Sequence, residues 1–141
     1  MPFPTRIEYE ALIYALPQRY LNEIKASNLR LFSTSRSTAR VEGEIQFANG
    51  LVLRVKEVVD FQTARITDYG YTVFRGAEKI RWYDPQPHPD DASLQPTFPH
   101  HYHQDPNIKH HRLPAQGITF TAPNLETLIN DCLALGDLRG F

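Results

Sequence analysis

Alternating apolar and polar residues predict a β-hairpin in the first half of the chain. Apolar or small side chains occupy every second position over 41–47 and again over 51–55, and mostly charged or amide side chains lie between them. A period of two is typical of strands that bury one face. A three-residue loop over 48–50, ending in a glycine that tolerates left-handed backbone, pairs Ile45 with Leu53. This register keeps one face of the hairpin apolar.

Further strands are predicted on both sides of this hairpin. The segment 63–74 reads as a third strand, and a turn over 76–78 leads back into an aromatic-rich strand over 79–84. Residues 29–34 are a further candidate strand. Because consecutive strands usually pair with each other, we expect an antiparallel meander of four or five strands.

The first helix is predicted from a capping signal near the N-terminus. Thr5 can accept a hydrogen bond from the backbone of Glu8, whose side chain can return one to the cap. Apolar residues at helical spacing follow, and Pro17 is expected to stop or kink the helix. The segment 18–27 fits a helix and a strand equally well.

A second helix is predicted at the C-terminal end, with Pro123 in its first turn and Gly136 at its end. Its apolar stripe consists of Leu125, Leu128, Ile129, Cys132 and Leu133. Cys132 lies on this stripe and is therefore expected to be a core residue. The predicted fold is α+β, a single domain over residues 1–141. In it the C-terminal helix covers the apolar face of the sheet, and a Pro/His-rich functional loop over 85–117 lies across one end.

Composition narrows the class of protein. The chain has 141 residues, one cysteine, 15 basic and 16 acidic side chains, and a net charge of −1. A single cysteine allows no internal disulfide, and no apolar run is long enough to span a membrane. We therefore expect a cytoplasmic protein without membrane association. The balanced charge excludes a generally basic nucleic-acid binder but leaves a local basic patch possible.

The segment with the most candidate catalytic or metal-binding side chains is rich in histidine and proline. All six histidines lie between His88 and His111. Histidine has the side-chain pKa closest to neutrality, so several histidines near arginine and aspartate can supply an acid, a base and charge stabilisation. A long aperiodic segment is uncommon in a compact domain unless it is functional or disordered. Its embedded apolar residues argue against disorder.

Three interpretations of these histidines remain open from the residues alone. In the first, His101 and His103 bind a metal ion together with Asp84 or His88. In the second, two or more of the histidines perform metal-free acid/base catalysis while an arginine holds a phosphate. The histidines of this second hypothesis are His88, His100, His101 and His103, and the arginine is Arg81 or Arg112. In the third, the histidines only stabilise turns, which is the expectation for His110 and His111.

Two further pairs of residues are candidates for contact with an anionic polymer. Arg54 and Lys56 lie on the polar face of the predicted hairpin, where they are either solvated or bind RNA. Trp82 and Tyr83 are neighbours on a strand, so their side chains point to opposite faces. One of the two rings is therefore expected in the core, and the other can stack on a base if it is exposed.

The most specific motif lies in the Pro/His-rich part of the chain and resembles a known family. The matching residues are Arg81-x-Tyr83-Asp84, then Pro87-His88, then Phe98-Pro99-His100-His101-x-His103, with looser similarity over 69–75 and 123–126. This pattern resembles the TumE family of small bacterial toxins. The resemblance implies the toxin half of a type II toxin–antitoxin pair, a partner antitoxin that often has a helix-turn-helix, and a ribonuclease-like activity.

With this resemblance, the leading hypothesis is a metal-independent endoribonuclease that needs no cofactor. His100, His101, His103 and His88 would share the acid and base roles, Arg81 would offset phosphate charge, Asp84 would orient a histidine, and Tyr83, Arg112, Arg54 and Lys56 would contact RNA. The alternatives are a non-catalytic interaction module, an inactive member in which Pro89 replaces a family histidine, and a metal-dependent hydrolase. The hypothesis requires the 81–84 strand end to meet the histidines at 100–103.

Overall fold

The computed structural model describes residues 2–139, which form an α+β fold as predicted. In chain order the elements are α1 (Arg6–Arg19), β1 (Ile24–Ser27), β2 (Arg30–Ser33), β3 (Thr38–Phe47), β4 (Leu51–Asp60), β5 (Arg65–Arg75), β6 (Glu78–Asp84), a short 3₁₀ helix (Ala92–Thr97), β7 (His101–Gln104), β8 (Arg112–Pro114) and α2 (Leu125–Arg139). Neither α-helix in this described range is long and apolar enough to cross a membrane.

The strands form one open antiparallel sheet. Strands β3 to β8 follow each other as a meander, which confirms the predicted pairing of sequential neighbours. Strands β1 and β2 both pair with β3, one along each half of that long strand. The hairpin register is also confirmed, because Ile45 pairs with Leu53 across the three-residue loop and Gly50 has a φ of 93°.

The predicted number of strands, four or five, was wrong: the sheet of the described residues contains eight. Two of the additional strands, β7 and β8, arise inside the 85–117 segment that was predicted to be a loop. The residues of β7 have no regular alternation of apolar and polar types. They become a strand because β6 offers them an unpaired backbone edge, where Tyr83 pairs with Tyr102.

The core lies between one face of the sheet and the two α-helices. Alternate residues of the central strands point into it, including Val41, Ile45, Leu53, Val55 and Tyr71, all of which are fully buried. Helix α2 contributes Leu125, Leu128, Ile129 and Cys132 to the same cluster, so the predicted packing of this helix and the buried position of Cys132 are confirmed. The opposite face of the sheet, called the outer face below, carries mainly polar side chains.

Both helices differ from the prediction at their C-terminal ends. Helix α1 begins with the predicted capping box, in which Glu8 N donates to Thr5 Oγ1 at 3.2 Å and Thr5 N donates to Glu8 Oε1 at 2.9 Å. It then continues through Pro17 to Arg19, because a proline near the last turn removes only one helical hydrogen bond.

Helix α2 likewise continues past Gly136, where it was predicted to end. A Cβ atom at this position would collide with the side chain of Asn49. The glycine therefore permits close contact between α2 and the loop that joins β3 to β4, and it does not terminate the helix.

A buried hydrogen-bond network connects α1, the sheet and α2. The Glu57 carboxylate is 1% exposed and accepts hydrogen bonds from Tyr9 Oη at 2.6 Å and Tyr71 Oη at 2.5 Å. Asn124 Nδ2 donates to Tyr71 Oη at 3.1 Å. Burial raises the pKa of Glu57, and the two tyrosine hydroxyls oppose this shift. Each polar group of the network is thus satisfied by a neighbour.

We expect Tyr71→Phe to lower the free energy of unfolding by about 1–3 kcal/mol, since it leaves a buried oxygen of the Glu57 carboxylate without its donor. Urea denaturation followed by circular dichroism measures this difference. Tyr102→Phe is the matched control, because no hydrogen bond of the Tyr102 hydroxyl is found in the described residues. Equal loss of stability in the two variants would contradict the role of the network.

Candidate metal and catalytic site

Strand β6 divides the predicted site residues between the two faces of the sheet. Side chains alternate along a strand, so Arg81 and Tyr83 share one face and Trp82 and Asp84 share the other. The Tyr83 hydroxyl donates to Asp131 on α2 at 2.9 Å, which identifies the Arg81/Tyr83 face as the helix-covered one. Trp82 and Asp84 therefore lie on the outer face.

Strand β7 adds two histidines to the outer face beside Asp84. Its pairing with β6 sets His101 opposite Asp84 and His103 opposite Trp82. The Nε2 atoms of His101 and His103 are 3.2 Å apart. Asp84 Oδ1 is 3.3 Å from His101 Nε2, and Asp84 Oδ2 is 3.4 Å from His103 Nε2. These three residues, called the His₂Asp cluster below, direct their polar atoms at one point.

The carboxylate of the cluster is fixed by two hydrogen bonds from its own strand end. Trp82 Nε1 donates to Asp84 Oδ2 at 2.6 Å, and the backbone N–H of Gln86 donates to Oδ1 at 2.9 Å. The indole also stacks on the His103 ring with a centroid distance of 3.9 Å. Trp82 therefore orients two of the three members of the cluster.

Backbone contact determines which nitrogen of His101 carries its proton. His101 Nδ1 is 3.1 Å from the carbonyl oxygen of Pro99, and a carbonyl only accepts. The proton of the neutral ring is therefore on Nδ1, and Nε2 presents a lone pair to the cluster. Burial lowers the pKa of His103, and the nearby Asp84 carboxylate opposes that shift.

The cluster is buried at the histidines and accessible at the carboxylate. The side chains of His101 and His103 are 1% and 5% exposed, whereas that of Asp84 is 24% exposed. The His88 ring lies against His101 with a centroid distance of 4.9 Å. Access from solvent is thus along the Asp84 and His88 side.

An open cavity of about 540 Å³ adjoins this side, and His88 and Arg112 are among the residues that line it. Arg112 is the β8 neighbour of His103 in the sheet, and its Nε is buried without a hydrogen-bond partner in the described residues. Burial lowers the pKa of His88, and the charge of Arg112 adds to this effect. The cavity therefore combines an imidazole with an arginine that has no ion-pair partner in the part of the chain described.

The outer face continues from the cluster toward β4. Lys56 pairs with Gly70, and the β5–β6 ladder continued by one residue sets Gly70 beside Asp84. A shallow cavity of about 250 Å³ lies between Lys56 and Gly70. Arg54 lies on the same face but is bound to Glu44 at 3.0 Å. Of the two cations predicted on the hairpin, Lys56 is thus the one available to an anionic ligand.

Three predicted site residues, Arg81, Tyr83 and His100, take no part in the site on the outer face. Arg81 donates to Gln104 Oε1 at 2.6 Å and to Tyr83 Oη at 3.2 Å on the helix-covered face. Tyr83 is 1% exposed and belongs to the core. His100 Nδ1 is 2.6 Å from the Tyr69 hydroxyl, and its ring contacts Phe120. The expected meeting of the strand end with the histidines is therefore made by Asp84, and Arg81 does not take part.

The orienting role of Trp82 was not recognised in the sequence. The tryptophan was considered only as a core residue or as a platform for a base. The signal was its position two residues before Asp84 on the same strand, which places both side chains on one face. His110 and His111 are exposed on the turn between β7 and β8 and do not join the cluster.

The arrangement limits the possible chemistry. An acid and a base that serve opposite sides of an in-line transfer at phosphorus cannot be two nitrogens 3.2 Å apart. The distance between the two nitrogens is instead that of two ligands of one cation or of two groups that share one proton. A second proton-transfer group has to come from elsewhere, and His88 is the nearest candidate.

Fold and site together define an α+β protein whose open sheet carries a His₂Asp cluster on its uncovered face. Residues 13–135, most of the chain, match the family described as Toxin TumE. The chain belongs to this toxin family. No curated protein and no solved structure matches the chain.

Proposed function

We propose that this toxin cleaves RNA at the His₂Asp cluster of the outer face. The observation that carries the proposal is the convergence of Asp84, His101 and His103 on one point next to a cavity lined by His88 and Arg112. Membership of a toxin family supports an activity that harms the cell. The histidines and the arginine near the cluster support cleavage of a phosphodiester as that activity. No other group of this kind occurs among the described residues.

The shape of the site favours a polymer over a small molecule. Small-molecule sites usually enclose most of their ligand in an apolar cleft. Here the two cavities described above are open and lined mainly by charged or polar residues and proline. Lys56 and Arg112 lie on either side of the cluster along this face, where they can contact successive phosphates.

Each residue of the site has a separate role in the proposed reaction. Arg112 holds the non-bridging oxygens of the scissile phosphate. The His₂Asp cluster accepts the proton of the attacking ribose 2′-hydroxyl, whose oxygen then forms the new bond to phosphorus. The bond from phosphorus to the 5′ oxygen breaks, and His88, which enters this step in its protonated form, donates a proton to that leaving oxygen and becomes neutral. Arg112 thus takes the phosphate-binding role that the sequence suggested for Arg81.

A toxin of this kind requires a partner that neutralises it, and we assign that role to a cognate antitoxin of a type II pair in the cytoplasm. The toxin family implies an antitoxin in general. The outer face is the surface an inhibitor has to cover, because both the cluster and the candidate phosphate contacts lie there.

The function is tested with protein made by cell-free synthesis, which avoids toxicity to a host. The protein is incubated with a defined RNA and with the same strand carrying a 2′-deoxy sugar at the cleaved position. We expect cleavage of the RNA to a 2′,3′-cyclic phosphate and no cleavage of the deoxy-substituted strand. Intact RNA in the presence of folded protein would reject the nuclease and favour a non-catalytic interaction module.

Arg112→Gln is expected to raise the KM for RNA about 10-fold or more, since a charge-assisted contact to phosphate contributes about 1.5–3 kcal/mol. Steady-state cleavage of a fluorescent RNA measures this change. Arg6→Gln is the control, because Arg6 is on α1, across the sheet from the outer face, and pairs with Glu10. An equal effect of both substitutions would show that Arg112 acts only through net charge.

A further inference from the structure

The His₂Asp cluster brings Lewis-basic atoms of three side chains close together. In the neutral ring, His101 Nε2 presents a lone pair, because its Nδ1 proton is directed at Pro99. Asp84 contributes a carboxylate oxygen 3.3 Å from that lone pair. The carboxylate oxygens accept from Trp82 Nε1 and the Gln86 N–H, and the imidazole N–H that can point into the cluster is on His103 Nε2. Two electron-rich atoms therefore face each other in a nearly buried place.

The spacing of these atoms is that of ligands around one transition-metal ion. Ligands that are each about 2.0–2.2 Å from a zinc ion are about 3.3–3.6 Å from each other in tetrahedral geometry and about 2.8–3.1 Å in octahedral geometry. The observed separations are 3.2 Å between the two Nε2 atoms and 3.3 and 3.4 Å from these atoms to the carboxylate oxygens. Two imidazoles and one carboxylate form a common catalytic ligand set.

The surroundings also resemble those of a metal centre. Metal-binding histidines usually donate their second N–H to a carbonyl or carboxylate, and metal-binding carboxylates are usually hydrogen-bonded themselves. His101 donates to the Pro99 carbonyl, and Asp84 accepts from Trp82 Nε1 and from the Gln86 backbone. These contacts fix both ligands before any ion binds.

We infer that Asp84, His101 and His103 bind a divalent transition-metal ion, zinc foremost, with a coordination position open on the Asp84 side. Imidazole ligands favour zinc and its neighbours over magnesium or calcium, which prefer oxygen ligands alone. The ion would be held by lone pairs that otherwise face each other. Its role in cleavage rests on the proposed function: it would bind the attacking 2′-oxygen and lower the pKa of that hydroxyl, so that the proton passes to solvent and not to the ligand atoms of the cluster. Metal binding itself is independent of that function.

Metal binding is measured directly on protein made by cell-free synthesis and dialysed against a chelator. Calorimetric titration with zinc chloride is expected to show a single ion per chain, and magnesium chloride is expected to show none. Cobalt chloride is expected to produce the visible absorption of a low-symmetry site with nitrogen and oxygen ligands. Absence of zinc binding by the folded wild-type chain would overturn the inference and leave a shared proton in the cluster.

Substitutions inside and outside the His₂Asp cluster test whether the zinc ion binds at the cluster. His103→Ala is expected to abolish stoichiometric zinc binding, and His111→Ala, an exposed histidine outside the cluster, is expected to leave it unchanged. Trp82→Phe keeps an aromatic ring against His103 but removes the hydrogen bond to Asp84, so zinc affinity is expected to fall about 10–100-fold. Unchanged affinity in His103→Ala would overturn the inference even if the wild type binds zinc.

The same samples distinguish this inference from the proposed function. Zinc binding without RNA cleavage would keep the metal site and reject the nuclease. RNA cleavage that persists after chelation, in protein shown by elemental analysis to hold no metal, would keep the nuclease and reject a role of the metal in cleavage, and the zinc titration then decides on the metal site itself. Circular dichroism of every variant without metal verifies that a lost signal is not a lost fold.

Discussion

His101→Ala is expected to lower the rate of RNA cleavage by about 10²–10⁴-fold, the range for loss of a group that handles the transferred proton. His101 Nε2 lies within 3.3 Å of both other members of the His₂Asp cluster, so its removal leaves only two of the three converging groups. The effect is expected in kcat, because His101 does not line the cavity assigned to phosphate binding. Single-turnover cleavage by purified protein measures it.

The adjacent histidine supplies the matched control. His100 is bound to Tyr69 and packed against Phe120, away from the cluster, so His100→Ala is expected to lower stability and to retain the cleavage rate of the folded molecule. Denaturation curves give the folded fraction by which each rate is normalised. In cells, growth arrest should disappear with His101→Ala and persist with His100→Ala at equal protein level. Similar normalised rates in the two variants would place the reaction elsewhere.

Local patterns were sufficient to predict the elements whose structure depends on local interactions. The capping box of Thr5 and Glu8 satisfies backbone groups within one turn, and the β3–β4 register follows from keeping one face apolar across a short loop. The buried stripe of α2 has the same basis. In each case the residues that determine the structure are close together in the sequence.

The composition of the site depended on information that local patterns lack. Arg81 was predicted to offset the phosphate charge and Arg112 to contact RNA, but local patterns do not show which face of the sheet either arginine occupies. Trp82 and Tyr83 are both aromatic, so the pattern left open which side of β6 faces the core. In the fold, the Tyr83 hydroxyl donates to Asp131 on α2. This long-range contact shows that Tyr83, and with it Arg81, lies on the helix-covered face of the sheet. Strand β7 was missed for a similar reason, since it forms on the edge that β6 provides.

Comparison of the Glu57 and Asp84 carboxylates supports a functional role for the cluster. Glu57 is matched by two hydroxyl donors and lies inside the core, as expected of a structural group. Asp84 also accepts two hydrogen bonds, yet it is 24% exposed, and each of its oxygens lies within 3.4 Å of an imidazole nitrogen. A cation bound at this point would contact all three side chains.

The largest expected effect on stability comes from Gly43 on β3. Its φ is +141°, a conformation that side-chain-bearing residues rarely adopt, and a Cβ there would be 2.7 Å from the Asn28 carbonyl oxygen and 2.9 Å from Leu29 Cα. The close approach exists because β1 and β2 both pair with β3 and the chain between them crosses this residue. Relief of such contacts requires the backbone itself to move.

We therefore expect Gly43→Ala to destabilise the protein by about 1–3 kcal/mol for the backbone conformation, with overpacking adding about 1–3 kcal/mol. Gly70→Ala is the control, because a Cβ at Gly70 meets nothing within 4 Å. Urea denaturation of both variants measures the difference, and equal midpoints would contradict it. Gly43 is remote from β6 and β7, so the cleavage rate per folded Gly43→Ala molecule should match the wild type. A lost rate in the fully folded variant would mean that the edge of the sheet at β1 and β2 is coupled to the cluster.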